Sequence, residues 1–202
     1  MNFLETITLE NDLIRLEALS EIHFNELLAI SLKNPDLLKF SPSQFGSEES
    51  LKNNFYRALR ARKEGQRYTF CIYDKSEARY IGCSSLGNIS TENQRLEIGW
   101  TWIDKKSQGR GLNQHCKYLL LSYAFDELHI ERVEFRTDSR NVQSRKALEK
   151  IGGVYEGTLR SHTLMLDGYR RDTAYYSILK SDWTRPKNEN LRSPNQSSHR
   201  RF

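Results

Sequence analysis

The segment Gln108-Gly109-Arg110-Gly111-Leu112-Asn113 joins two glycines and a basic residue to the first turn of an amphipathic run, a composition suited to holding phosphate. Glycine admits left-handed backbone and close approach to a ligand. A helix starting directly after such a turn adds unpaired N–H groups and the positive end of its dipole. The chemistry indicated is recognition of a phosphate-bearing cofactor. Two other phosphate loops are excluded. No Gly-x-x-x-x-Gly-Lys-Ser/Thr occurs, and a dinucleotide fingerprint would require a third glycine where Gln114 stands. Taken alone the turn also reads as a simple chain reversal, so its flanks decide.

Upstream, residues 95–103 alternate in character and carry the β-branched and aromatic side chains favoured in strands. Downstream, Leu112, Cys116, Leu119, Leu120, Tyr123 and Leu128 fall on one helical face, predicting a helix of about four to five turns packed on a sheet. Val133, Phe135 and Thr137 then alternate with Arg132, Glu134 and Arg136 as a second strand. Asn141 starts another helix, which ends at Gly152-Gly153. The unit is strand, anion-binding turn, helix, parallel strand, helix. Before it the pattern predicts a strand over 13–19 and a helix capped by Ser20 with Phe24, Leu27 and Leu28 inward. Breaks follow at Pro35 and Pro42, then a helix over 49–63 with Leu51, Phe55 and Leu59 on one face, and a hairpin of 68–73 and 80–89. Two strands, over 154–166 and 169–179, close the chain's patterned part.

The 202 residues, 37% of them hydrophobic, suit one domain over 1–184. The net charge of +5 is unevenly spread. Segment 185–202 holds five basic residues and one acid, against 26 basic and 25 acidic residues before it. A nucleic-acid groove would concentrate charge on the folded part, so nucleic acid is not the expected partner. The tail, rich in Pro, Asn, Ser and Arg, reads as disordered, either inert or touching RNA or an acidic partner. With no apolar leader and no run of about 18 apolar residues, the expectation is a cytoplasmic protein without membrane contact. Cys71, Cys83 and Cys116 are expected as buried thiols, His115 and His129 as packing or surface residues, and no set of side chains has metal-ligand spacing.

Gln108, Gly111 and, with a departure, Asn113 meet the Gln/Arg-x-x-Gly-x-Gly/Ala motif of the GNAT superfamily of acyl-CoA-dependent N-acetyltransferases, which the chain resembles. Residues 138–153, with Asn141, Ser144, Leu148, Lys150 and Gly152, are similar to the Asn-x-x-Ser and Leu-x-Lys-x-Gly-Phe segment of its Rim-type branch. Enzymes of that branch acetylate protein N-termini, including those of ribosomal proteins. Segments 156–160 and 167–172 resemble the branch's closing strands. The resemblance implies an α/β (α+β) fold with a mixed, mostly antiparallel seven-stranded sheet and about four helices, in the order βααβββαβαββ. The sheet would splay between its fourth strand, holding Glu97, and its fifth, holding Val133. Acetyl-CoA is then the cosubstrate. Its pantetheine would lie along the opened edge, paired with backbone near Ile98 and Trp100, and its pyrophosphate on the N–H groups of Gln108, Gly109, Arg110, Gly111, Leu112 and Asn113.

Amine acylation requires a neutral nucleophile, a stabilised oxyanion and a proton for the departing thiolate. The resemblance casts Glu97 as general base, directly or through water, with a backbone N–H near Ile98 at the thioester oxygen. Glu97 could instead face solvent or pair with Arg95. On strict alternation Glu97 shares a face with Gly99, while Leu96, Ile98 and Trp100 share the other. Many relatives place an acidic tyrosine where Leu148 stands here, so Ser144 is the candidate partner of the coenzyme sulfur; its alternative is a small residue required by packing. Asn141 caps a helix, binds the pantetheine amide, or does both. Gly153 replaces the aromatic of the Gly-Phe pair. The acceptor is a protein N-terminus or a small amine. Trp100, Trp102, Tyr169 and residues 40–45 either wall its site or belong to the core. A homodimer is admitted, as are a different acyl group such as succinyl and a noncatalytic acyl-CoA-binding domain.

Overall fold

A computed structural model describes residues 1–183; the segment 185–202 expected to be disordered lies outside them. The chain opens with β1 (Thr8–Glu10) and β2 (Ile14–Ala18), an antiparallel pair. Its turn is held by Asn11, whose Oδ1 accepts the N–H groups of Leu13 and Ile14 at 3.1 Å each. β1 makes the sheet eight-stranded, not seven. Three residues are too few to show an alternation, so this edge strand leaves no pattern in the sequence.

Ser20 starts a single 3-10 turn, Glu21–His23, that leads into α1 (Phe24–Lys33). α2 (Glu48–Lys63) begins with a reciprocal cap: Ser47 Oγ accepts the Ser50 N–H and Ser50 Oγ accepts the Ser47 N–H. Glu48 and Glu49 in its first turn and Arg60, Arg62 and Lys63 in its last complement the helix dipole. Next come β3 (Arg67–Asp74), β4 (Arg79–Ser90) and β5 (Arg95–Ile103). α3 (Leu112–Ser122) runs on into a π-helical turn, Tyr123–Glu127, and is followed by β6 (Arg132–Asp138), α4 (Val142–Lys150), β7 (Val154–Leu164) and β8 (Arg170–Leu179).

The strands lie in the order β1-β2-β3-β4-β5-β6-β8-β7. Only β5 and β6 are parallel, as their connection through α3 requires. One face of the sheet buries Leu16, Phe70, Ile72, Leu96 and Ile98 against Cys116 and Leu120 of α3 and Phe125. The other buries Cys71 and Cys83 under Leu27 and Ile30 of α1 and Leu51 and Phe55 of α2. Each fully buried Leu or Phe side chain contributes about 1.5–3 kcal/mol relative to exposure, so both helical layers are firmly seated. All three cysteines are buried thiols, and burial pushes that of Cys116 up to about 11. His115 is buried too, its Nδ1 2.9 Å from Asn11 Nδ2. Among the described residues no helix is long and apolar enough to cross a membrane.

Candidate active site

β5 and β6 pair over three positions only, Arg95 with Arg132, Leu96 with Val133 and Glu97 with Glu134. Beyond Glu134, β6 continues beside β8 alone, and the two parallel strands part. Their divergence opens a cleft of about 610 Å3 that runs from the glycine turn, past Ile98 and Ser144, to α2 and the segment after α1.

At one end lies the expected phosphate turn. Gly109 (φ +78°) and Gly111 (φ +81°) both occupy the left-handed region, which side chains with a Cβ enter at a cost of roughly 1–2 kcal/mol. Gly111 precedes the first residue of α3, and no side chain caps that helix. Among the described residues, the N–H groups of Gly109, Arg110, Gly111, Leu112 and Asn113 have no protein acceptor, so five consecutive donors surround the turn. Gln108 differs from this group: its N–H already donates to the Lys105 carbonyl at 3.3 Å. Its side chain holds the turn instead, Nε2 donating to the Ile103 carbonyl (2.9 Å) and Oε1 accepting from Gln143 Nε2 of α4 (3.1 Å). The Arg110 guanidinium is likewise committed, to Asp74 Oδ2 (2.9 Å), Ser76 Oγ (2.9 Å) and Glu77 in the β3–β4 turn, which leaves only its backbone N–H open toward the turn. Asn113 Oδ1 is buried without a partner at the cleft floor.

In mid-cleft stands Glu97, 5% exposed. It does not pair with Arg95, which reaches Glu134 at 3.4 Å. Glu97 Oε2 accepts from Asn88 Nδ2 (2.6 Å) and from Arg136 Nη2. Burial alone would lower the Arg136 pKa; the hydrogen bond and charge of Glu97 outweigh it and hold the guanidinium above its usual value. The other carboxylate oxygen, Oε1, lies over Gly99, where a Cβ would come within 2.8 Å of it. Gly99 thus makes room for the carboxylate.

The alternation that put Trp100 on the face of Leu96 and Ile98 fails at a bulge. Ser85 pairs with Gly99 and Cys83 with Trp102, so Ser84 alone opposes both Trp100 and Thr101. Trp100 takes φ +50°, and its ring lies over Gly87, 2.7 Å from where a Cβ would stand. Gly87 is directly opposite Glu97, so the indole belongs to the face of Glu97. Ile98 is buried in the α3-side core, which confines any cofactor role to its backbone.

Across the cleft, Asn141 Oδ1 accepts the Ser144 N–H at 3.0 Å and caps α4, while its Nδ2 makes no bond to a described residue. Ser144 lines the cleft in the first turn of α4, its hydroxyl without a described partner, and the buried Leu148 follows one turn later. Phe40, Phe45, Trp100 and Trp102 line the cleft at the end expected to take the acceptor, with Phe45 edge-on to Trp102 at 4.9 Å. Tyr169 is not part of that wall; it stacks on the Arg140 guanidinium at 3.9 Å.

Sequence reasoning passed over Arg136, Asn88 and Lys117. Arg136 looked like an ordinary outward residue of an alternating strand. Lys117, 4% exposed, donates through Nζ to Ser84 Oγ (3.1 Å) and to Thr101 Oγ1, tying α3 to both strands at the bulge. Burial pulls its pKa down to about 8, against the raising influence of Cys116 and Glu97. Its one sequence signal was a lysine set beside Cys116 on the inward side of an apolar helix.

The chain matches the acetyltransferase (GNAT) domain family over residues 14–154. It is 38% identical over 112 residues to YdaF of Bacillus subtilis (strain 168), provisionally named a ribosomal N-acetyltransferase; the match spans 55% of this chain and 58% of YdaF. Its structure resembles that of a GCN5-related N-acetyltransferase from Brucella melitensis, with a TM-score of 0.82 at 27% identity over 90% of this chain and 82% of the other. A provisionally titled acetyltransferase from T. thermophilus gives 0.78 at 34% identity over 87% and 90%. With most of the sheet, the glycine turn and most of the cleft lining inside the matched stretch, this chain belongs to the GNAT acetyltransferase family.

Proposed function

We propose that the protein transfers acetyl from acetyl-CoA to a primary amine, a protein N-terminus, by direct attack of the neutral amine on the thioester carbonyl. The observation that carries this reading is the single opening between β5 and β6, which has five free backbone donors at one end and a buried carboxylate in its middle. The donors from Gly109 to Asn113 hold the pyrophosphate, and a bound thioester then meets the amine at high effective concentration. Glu97, with Oε1 left over by its bonds to Asn88 and Arg136, takes the amine proton, through a water where the distance requires it. As the C–N bond forms, a backbone N–H near Ile98 stabilises the carbonyl oxygen. When the C–S bond breaks, the Ser144 hydroxyl donates a hydrogen bond to the thiolate. A hydroxyl is too weak an acid for more, so its share lies in orientation. The choice of a protein N-terminus draws on the name of YdaF and on the resemblance to the Rim-type branch.

Isothermal titration with acetyl-CoA, CoA and succinyl-CoA, followed by a peptide acetylation screen, tests this. Binding of acetyl-CoA with transfer to peptide α-amines is the expected result. Absence of binding to all three would overturn the reading, and binding without turnover on any amine would leave a noncatalytic acyl-CoA-binding domain.

A further inference from the structure

Beside the acceptor end of the cleft lies a second hollow of about 360 Å3, sharing Ser41, Pro42, Ser43, Arg57, Arg67 and Trp100 with it. Asn88 and Gln66 complete its polar lining, and no acidic residue takes part. Its two arginines have no carboxylate partner among the described residues, whereas of the other two arginines lining the cleft Arg136 pairs with Glu97 and Arg171 donates to the Phe40 carbonyl. Arg67 stacks on the Trp100 ring at 5.0 Å, and its Nε is buried with no acceptor. Burial, and then the charge of Arg57, lower the Arg67 pKa. Arg57 is held in place beside it, Nη2 donating to Ser43 Oγ (3.0 Å) and Asn54 Oδ1 (2.8 Å). Arg67 is half-buried with an unsatisfied donor and has the exposed Arg57 beside it, a like-charge arrangement that an anion placed between the two would relieve.

The register sets the spacing. Arg67 pairs with Gly87, and Gly87 with Glu97, so all three lie in one cross-strand row on one face. Two inter-strand steps put the Cα atoms of Arg67 and Glu97 about 10 Å apart, a spacing that sets the scale of a ligand reaching from one side chain to the other. The nearest carboxylate in that row, Glu97, is already engaged by Arg136 and Asn88.

Building on the acetyl-transfer reading, we propose that this hollow is an anion subsite of the acceptor: Arg67 and Arg57 take a carboxylate carried about 10 Å from the amine that is acetylated. An acidic side chain at the second or third residue of a peptide N-terminus spans that distance at about 3.4 Å per residue, and so does a long ω-amino acid. Bidentate guanidinium contact would make the subsite select carboxylate over amide.

The test compares Ala-Ala-Asp-Ala amide with Ala-Ala-Asn-Ala amide, and 8-aminooctanoate with octylamine, as acceptors and as ligands titrated into protein saturated with CoA. We expect the acid of at least one pair to exceed its neutral counterpart about tenfold in kcat/KM, mainly through KM, and in affinity. In Arg67→Met, which keeps an apolar stem against Trp100, that ratio falls towards one; Arg57→Gln, at a more exposed position, gives an intermediate ratio. Discrimination in the peptide pair alone identifies a peptide N-terminus, and in the other pair alone a small amino acid. Equal use and binding of acid and neutral ligand, or a ratio unchanged in both variants, would overturn the subsite. Carboxylate-selective binding without turnover would keep the subsite and remove the catalytic reading, while turnover without selectivity would do the reverse.

Discussion

The two ends of the cleft are built on different principles. The end proposed for the coenzyme offers backbone: five successive N–H groups, two left-handed glycines and an uncapped helix start, all within Gly109 to Asn113. The end proposed for the acceptor offers side chains drawn from α2, β3, β4, β5, β6 and β8, among them Arg57, Arg67, Asn88, Glu97, Arg136 and Arg171. A phosphate presents the same oxygens in every use of the cofactor, so a short backbone device suffices. Distinguishing one amine from another requires groups placed by the whole sheet. The difference implies that substitutions at the coenzyme end act on binding, and those at the acceptor end on turnover and selectivity.

Glu97→Gln should separate the ends most sharply. Removal of a general base lowers rates by about 10²–10⁴, so kcat should fall by at least 100-fold while the Kd for acetyl-CoA, read by titration calorimetry, stays within about threefold. Equal loss of coenzyme affinity would erase the division.

Lys117 lies under the bulge where the ends meet, and its effect should appear in stability. Its folded pKa of about 8 is below the ordinary 10.5. Between these values the unfolded chain holds a proton that the folded chain has lost, so stability rises with pH across that window and is lower, by roughly 3 kcal/mol, once pH falls through 8. Lys117→Met lacks the titration. Denaturant unfolding from pH 7 to 10.5 should show the wild type gaining on the variant over this range; a constant difference would mean the ammonium is not desolvated.

Gly111→Val should raise the acetyl-CoA Kd about 10- to 30-fold, because a β-branched residue is strained at φ +81° and displaces the N–H groups around it. An unchanged Kd would remove the turn from the coenzyme site. The smallest effect is expected for Ser144→Ala: kcat lower by about tenfold, in line with one lost hydrogen bond in the transition state, with melting temperature little altered. A matching loss of stability and no selective loss of kcat would assign Ser144 to packing.

What was readable in the chain followed the same division. The glycine turn, α3, the β6 alternation and the Asn141 cap depend on neighbours a few residues apart, and each was legible from type and spacing. The parting of β5 from β6 came from family resemblance, since no periodicity marks where two strands diverge. Alternation puts Trp100 on the wrong face because it assumes an unbroken ladder, and one extra residue opposite Ser84 reverses every side chain after it. β1, at three residues, is too short to show an alternation. Arg136 and Asn88 could not be seen as partners of Glu97 from positions 39 and 9 residues away.

By itself the sequence determined the local devices: which segments are strands and helices, where glycine must stand, and that the turn from Gly109 to Asn113 offers backbone donors to an anion. Only the tertiary structure decided which charges meet. Pairing across strands brings Glu97 to Arg136 and leaves Arg67 and Arg57 facing a hollow without a carboxylate. The physical reason is range. Backbone conformation and capping are set within a turn or two of chain, whereas an ion pair or its absence depends on register, bulge and burial summed over the whole sheet.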